Sequence, residues 1–239
     1  MDGILGSLLT IVAAIIPAGV WLFFFTKEDV HPEPKKLILY VFEIGALASL
    51  PALAAQLIFQ KTILYFGFNI IFLIIGLALI EEICKWYAAY WAINKHSVFD
   101  EPIDAMVYMI AAAAGFATIE NLFIAASFTK SFNLISWVDT GNVLVLRFIG
   151  ATLLHTLSSA LVGYYWAMGK IKGKSLISWG IFAATMVHSM FNYLILQYQN
   201  ETLMYPSLFL IIATFFILND FEKIKVASSE ITTNPVIIK

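Results

Sequence analysis

The 239 residues are 61% hydrophobic and 13% charged, with a formal net charge of -2 and a mean hydropathy of +0.86, whereas soluble domains carry about 25% charged residues. This composition describes a polytopic membrane protein, excludes a soluble globular enzyme, and offers no basic excess for nucleic acid. The single cysteine, Cys84, excludes an intrachain disulfide and a thiolate metal cluster.

Apolar runs of about 20 residues, the length that crosses a bilayer, predict an all-α bundle of seven to eight spans. Seven are placed at residues 4–25, 37–59, 63–93, 103–127, 143–168, 176–198 and 205–219. The first follows Met1-Asp2-Gly3, which lacks a basic leader, so it is expected to be a retained span. A charged, proline-broken loop covers residues 27–36, Pro51 is expected to kink the second span, and Asp100-Glu101-Pro102 opens the fourth helix. The whole of 1–239 reads as one integral membrane domain with its motif-bearing core at 63–198. The polar stretch 220–239 reads as a frayed or interfacial tail.

Lysines fix the expected orientation. Lys27, Lys35, Lys36 and Lys95, the lysines at 170, 172 and 174, and the tail's Lys223, Lys225 and Lys239 lie on one side, against Lys61 and Lys130 on the other. The positive-inside rule places the first set in the cytoplasm, the N-terminus outside and the C-terminus inside, in the cell membrane. Aromatic belts agree, with Trp86, Trp91, Trp166 and Trp179 near the inner boundary and Tyr65, Trp137, Tyr198 and Tyr205 near the outer.

Ionisable groups inside spans are costly, so each needs a partner or a purpose. The spans hold Glu43, Glu81, Glu82, Lys85, Glu120, Asn121, Arg147, His155, Ser159, His188 and Asn192. Glu81 with Lys85, His155 with Ser159 and His188 with Asn192 are each four apart and share helix faces. Glu82 and Lys85 can form an intrahelical ion pair, but one lysine cannot neutralise two acids. Glu43 and Arg147 lie nearer span ends, where snorkelling gives them a structural role. Rise per residue brings Glu81, His155 and His188 to a common depth of roughly 18 Å and leaves Glu120 deeper, at roughly 26 Å. Cys84 in apolar surroundings packs as a small hydrophobe rather than acting as a nucleophile, and Ser158 and Ser159 read as packing residues.

Four motifs in order resemble those of the PrsW family of intramembrane proteases, within the wider superfamily of CAAX prenyl endopeptidases and bacterial immunity proteases. They are Glu81-Glu82-Ile83-Cys84-Lys85, Gly115-Phe116-Ala117-Thr118-Ile119-Glu120-Asn121, Arg147 with His155 and Gly163, and His188 with Asn192. The resemblance implies an endopeptidase that cuts membrane-embedded or membrane-tethered regulatory proteins. Glu120 and Lys85 depart from the CAAX pattern, so prenyl-protein processing is the lesser alternative.

Peptide hydrolysis needs an activated water, an oxyanion donor and an acid for the leaving amine. Glu81 is the candidate base, Glu82 its neighbour and Lys85 the charge balance. His155 and His188 are suited to polarising water or protonating the amine, and Asn192 to donating to the oxyanion; Asn121, Arg147 and Ser159 support them. Glu120, His155 and His188 could equally hold a divalent metal such as zinc. No nucleotide or organic cofactor is expected. A proton- or cation-coupled transporter could use the same buried acids and histidines, although the two halves of the chain lack a convincing repeat. A membrane-protein-binding scaffold, with these groups as interhelical glue, is a third reading.

Overall fold

A computed structural model of the protein describes residues 3–128, 134–198 and 203–233, and every regular element among them is helical. In chain order these are α1 (Gly3–Thr26), α2 (Lys35–Tyr65), α3 (Ile70–Ile93), α4 (Asp104–Phe128), α5 (Leu134–Arg147), a π-helical turn (Phe148–Thr152), α6 (Leu153–Ile171), α7 (Ile177–Tyr198) and α8 (Met204–Thr233). Helix α5, the π turn and α6 follow one another without a gap and form one long rod. Among the described residues, six helices are long and apolar enough to cross a membrane, α5, the π turn and α6 counting as one. Helix α3 matches them in length and is apolar except for Glu81, Glu82 and Lys85. The all-α membrane bundle expected from composition is therefore the architecture found.

Several boundaries differ from the hydropathy reading, for local reasons. The span expected at 63–93 is divided because Gly67 takes a left-handed φ of 68°, a conformation glycine adopts at little cost. Asn69 then caps α3 by accepting the Ile71 N–H at 3.0 Å. Helix α2 runs through Pro51 to Tyr65, and α8 runs past the apolar segment to Thr233. The polar tail is thus helical as far as it is described; residues 234–239, with Lys239, lie outside the described residues, as does Lys130. Trp166 belongs to the core rather than to an interfacial belt. It is buried and its ring lies 4.9 Å from that of Phe99 and 5.9 Å from that of Tyr90.

Helix α4 is the axis of the bundle. Its sequence is apolar on every side, as a helix surrounded by others must be, and residues 103–118 are all buried. It packs against α1, α2, α3 and α6. Small side chains permit this closeness, because association between helices in lipid relies on backbone approach and van der Waals contact. A Cβ at Gly115 would collide with the Phe42 carbonyl of α2, one at Gly45 with the Ala112 backbone, and one at Gly163 of α6 with the backbone of Ala105 and Met106. Gly115 and Gly163, both motif residues, are packing glycines. Gly115→Val should push α2 from α4 and lower stability by about 1–3 kcal/mol, measured by thermal unfolding of the detergent-solubilised protein; unchanged stability would show that this contact yields freely.

Candidate active site

Two helical spacings and one tertiary crossing build the polar centre. Glu82 and Lys85 lie three apart on α3, and their side chains, both fully buried, form an ion pair at 2.6 Å. The remaining capacity of Glu82 is filled from two other helices. Ser158 donates to Oε1 at 2.9 Å and Ser159 to Oε2 at 3.3 Å, both from α6, while His188 Nδ1 of α7 lies 2.8 Å from Oε1. The serines are therefore donors to a buried carboxylate as well as small packing residues.

Glu81, one residue earlier and about 100° round the helix, has a different environment. Gln56 of α2 donates to its Oε1 at 2.7 Å. Its Oε2 is buried and has no hydrogen-bond partner among the described residues, yet it lies 3.7 Å from His155 Nδ1 and 3.6 Å from His188 Nε2. The two acids are thus unequal: Glu82 is saturated and Glu81 keeps one oxygen free between two imidazoles.

Each imidazole is anchored through its other nitrogen. His155 Nε2 lies 2.8 Å from Glu120 Oε2, and His188 Nδ1 lies on Glu82. A carboxylate beside one ring nitrogen fixes the proton there and turns the opposite lone pair outward. By that logic His155 is protonated on Nε2 and His188 on Nδ1, so the lone pairs of His155 Nδ1 and His188 Nε2 face the Glu81 side. Lys85 Nζ, 3.1 Å from His155 Nδ1, donates to that same lone pair. The rings meet edge to face, with centroids 5.1 Å apart.

Arg147 secures the outer anchor. Its Nη2 reaches Glu120 Oε2 at 3.1 Å and its Nε donates to Asn121 Oδ1 at 2.5 Å. Asn121 is fully buried and donates in turn to Thr152 Oγ1 and the Ala14 carbonyl. Arg147 therefore points into the bundle instead of snorkelling, whereas Glu43 is exposed and stands apart from the centre. Counted from the same side, Glu120 shares the depth of His155. Glu120 and His155 each lie roughly 24 Å of rise from their helix ends at Asp104 and Ile171.

Of the groups singled out in the sequence, Glu81, Glu82, Lys85, Glu120, Asn121, Arg147, His155, Ser159 and His188 form one network. Asn192 is half-buried and joins none of its hydrogen bonds, and half-buried Cys84 is likewise outside it. The three donors that converge tightly enough for a metal are Glu81, His155 and His188, with one atom from each within 4.8 Å of the others. Glu120, the acid expected to complete that set, lies behind His155 as its anchor. Gln56 escaped sequence reading; an amide within the apolar run of α2 was its only signal. A groove of about 270 Å³ lies between α3 and α7, lined by Ile71, Ile74, Ile75, Met186, Ser189, Met190 and Tyr193.

The pattern described as PrsW family intramembrane metalloprotease matches residues 33–219. Among curated relatives, Protease PrsW of Geobacillus kaustophilus is 28% identical over 79% of this chain and 81% of its own. That of Halalkalibacterium halodurans is 26% identical over 93% and 97%, and that of Bacillus subtilis 24% identical over 81% and 86%. No solved structure gives a significant match.

Removing one partner from a buried ion pair strands the other charge, at a cost of about 3–5 kcal/mol. Lys85→Met should therefore destabilise strongly, and Lys85→Met with Glu82→Gln should recover much of the loss, as read by thermal unfolding. Additive losses in the double variant would show that the pair is not coupled.

Proposed function

The chain belongs to the PrsW family and is an intramembrane protease, and from that premise we propose that it cleaves membrane-tethered protein substrates with water activated at Glu81 between His155 and His188. The observation that carries the assignment is the unpartnered Glu81 Oε2, buried and faced by two imidazole nitrogens. An acceptor held in this way, with its other oxygen fixed by Gln56, is placed to take the proton of an attacking water. Glu82 and Glu120 act as positioning residues, each holding one histidine in its tautomer. Lys85 balances Glu82, and Arg147 with Asn121 holds Glu120. His155 and His188 relay the proton to the leaving amine, and Asn192, one turn beyond His188, donates to the oxyanion.

The same centre fits a divalent metal. Its donors are two nitrogens and one oxygen, each histidine is backed by a carboxylate as zinc ligands are, and the orphaned oxygen needs a partner. His155, His188 and Glu81 would hold the ion, and Glu81 would then serve as a ligand in place of its role as base. Zinc at such a site supplies Lewis-acid polarisation of the carbonyl and a lower pKa for water.

The apolar groove between α3 and α7 suits a substrate segment approaching from lipid, since these helices carry Glu81 and His188. The lysine distribution supports a cell-membrane orientation with the C-terminus in the cytoplasm. The transporter and prenyl-processing alternatives lose ground to the family assignment.

Glu81→Gln keeps the shape and hydrogen-bonding reach of the side chain while removing its basicity. It should lower cleavage of a membrane-tethered reporter by at least about 100-fold with thermal stability retained; cleavage near the wild-type rate would overturn the base assignment. Exhaustive chelation should abolish cleavage and zinc should restore it. Indifference to chelation would leave the Glu81 chemistry standing and remove the metal.

A further inference from the structure

A second group of acids lies at the other end of α4. Asp29 and Glu33 come from the α1–α2 connection, and Asp104 opens α4. One oxygen from each lies within 4.8 Å of the others. All three residues are buried, at 5%, 8% and 1% exposure. Among the described residues none of the three forms an ion pair. Some of their acceptor capacity is used: Asp29 Oδ1 accepts the His31 N–H at 2.9 Å, Asp104 Oδ2 accepts the Glu101 N–H at 2.8 Å, Tyr108 donates to Glu33 Oε2, and the carboxyl groups of Asp104 and Glu33 are hydrogen-bonded to each other. Asp29 Oδ2, however, is buried with no partner among the described residues. The nearby Lys170 ammonium is spent on the Phe99 and Glu101 carbonyls.

A proton shared between Asp104 and Glu33 relieves part of the repulsion among three buried acids, but it leaves the Asp29 oxygen orphaned. That is a costly arrangement, which a cation displacing that proton would relieve. We propose that Asp29, Glu33 and Asp104 form a binding site for a hard divalent cation, calcium by preference, at the ends of α2 and α4 remote from the protease centre. Oxygen-only donors select calcium or magnesium over zinc. Three oxygens no more than 4.8 Å apart can share one ion, and calcium tolerates irregular ligand geometry whereas magnesium demands a near-ideal octahedron. The site lies roughly 24 Å of rise along α4 from Glu120. A cation there ties the α1–α2 connection to the start of the bundle's central helix.

Terbium, a luminescent calcium substitute, tests this in the full chain in detergent, because Tyr108 touches Glu33 and can sensitise it. Excitation of the aromatic residues should give terbium emission that calcium displaces. Asp29→Asn with Asp104→Asn should abolish it, while Glu81→Gln leaves it intact. Calcium should also raise the wild-type Tm by several degrees through preferential binding to the folded state, and the double variant should fold without calcium and show no such rise. Absent emission, emission that survives the double substitution, or emission lost in Glu81→Gln would each overturn the site.

Discussion

The buried pair of Glu82 and Lys85 is the constraint on which the remaining centre depends. Neither charge is tolerable alone in an apolar bundle, and together they still leave a carboxylate with open acceptor sites. Ser158, Ser159 and His188 fill those sites, so neutralising one acid draws α6 and α7 onto α3. That three-helix clasp fixes the rotation of α3 about its axis. The rotation in turn decides where Glu81 points. The preceding residue is held at the junction of two imidazoles because its neighbour is locked in place, and Gln56 then selects which of its oxygens remains free.

Helix α4 makes the clasp possible in a different way. Its small residues let α2 and α6 approach until backbones nearly touch, and the site is assembled around this dense axis. Glu120 and Asn121 emerge from α4 where the small-residue stretch ends, which lets them reach sideways to Arg147 and His155. Asp104 marks the opposite limit of the same stretch. The central helix is therefore buried from residue 103 to residue 118 and carries its charges, Asp104 and Glu120, at the two ends of that stretch, so local chemistry at either end is backed by the same packed segment.

Much of this organisation was legible in the order of residues. Runs of apolar side chains gave the helices, and the acids and histidines within them named most of the site, since few other reasons place such groups in a membrane. Helical periodicity also paired Glu82 with Lys85. What periodicity could not give was the direction of each group across helices. Glu120 serves as anchor to His155 instead of joining the convergent donors, because that choice depends on which side of the imidazole α4 occupies. Gln56 was silent since an uncharged amide in a long span carries little signal until Glu81 stands opposite it. Hydropathy likewise missed the break at Gly67, where backbone conformation rather than polarity ends a helix, and it continued to see a tail where α8 persists to Thr233.

The π-helical turn at Phe148–Thr152, whose first carbonyl is taken by the Trp21 indole at 2.7 Å, has a consequence for how this segment tolerates change. In an uninterrupted α-helix, residues eight apart such as Arg147 and His155 would diverge by roughly 80° around the axis; a wide turn that absorbs one extra residue brings them to within roughly 20°. Both can then reach the same Glu120 oxygen. The alignment is thus set by a count of residues and only secondarily by their identities. This stretch can accept many substitutions of similar size, but the loss or gain of a single position would dismantle the centre while leaving every functional side chain present.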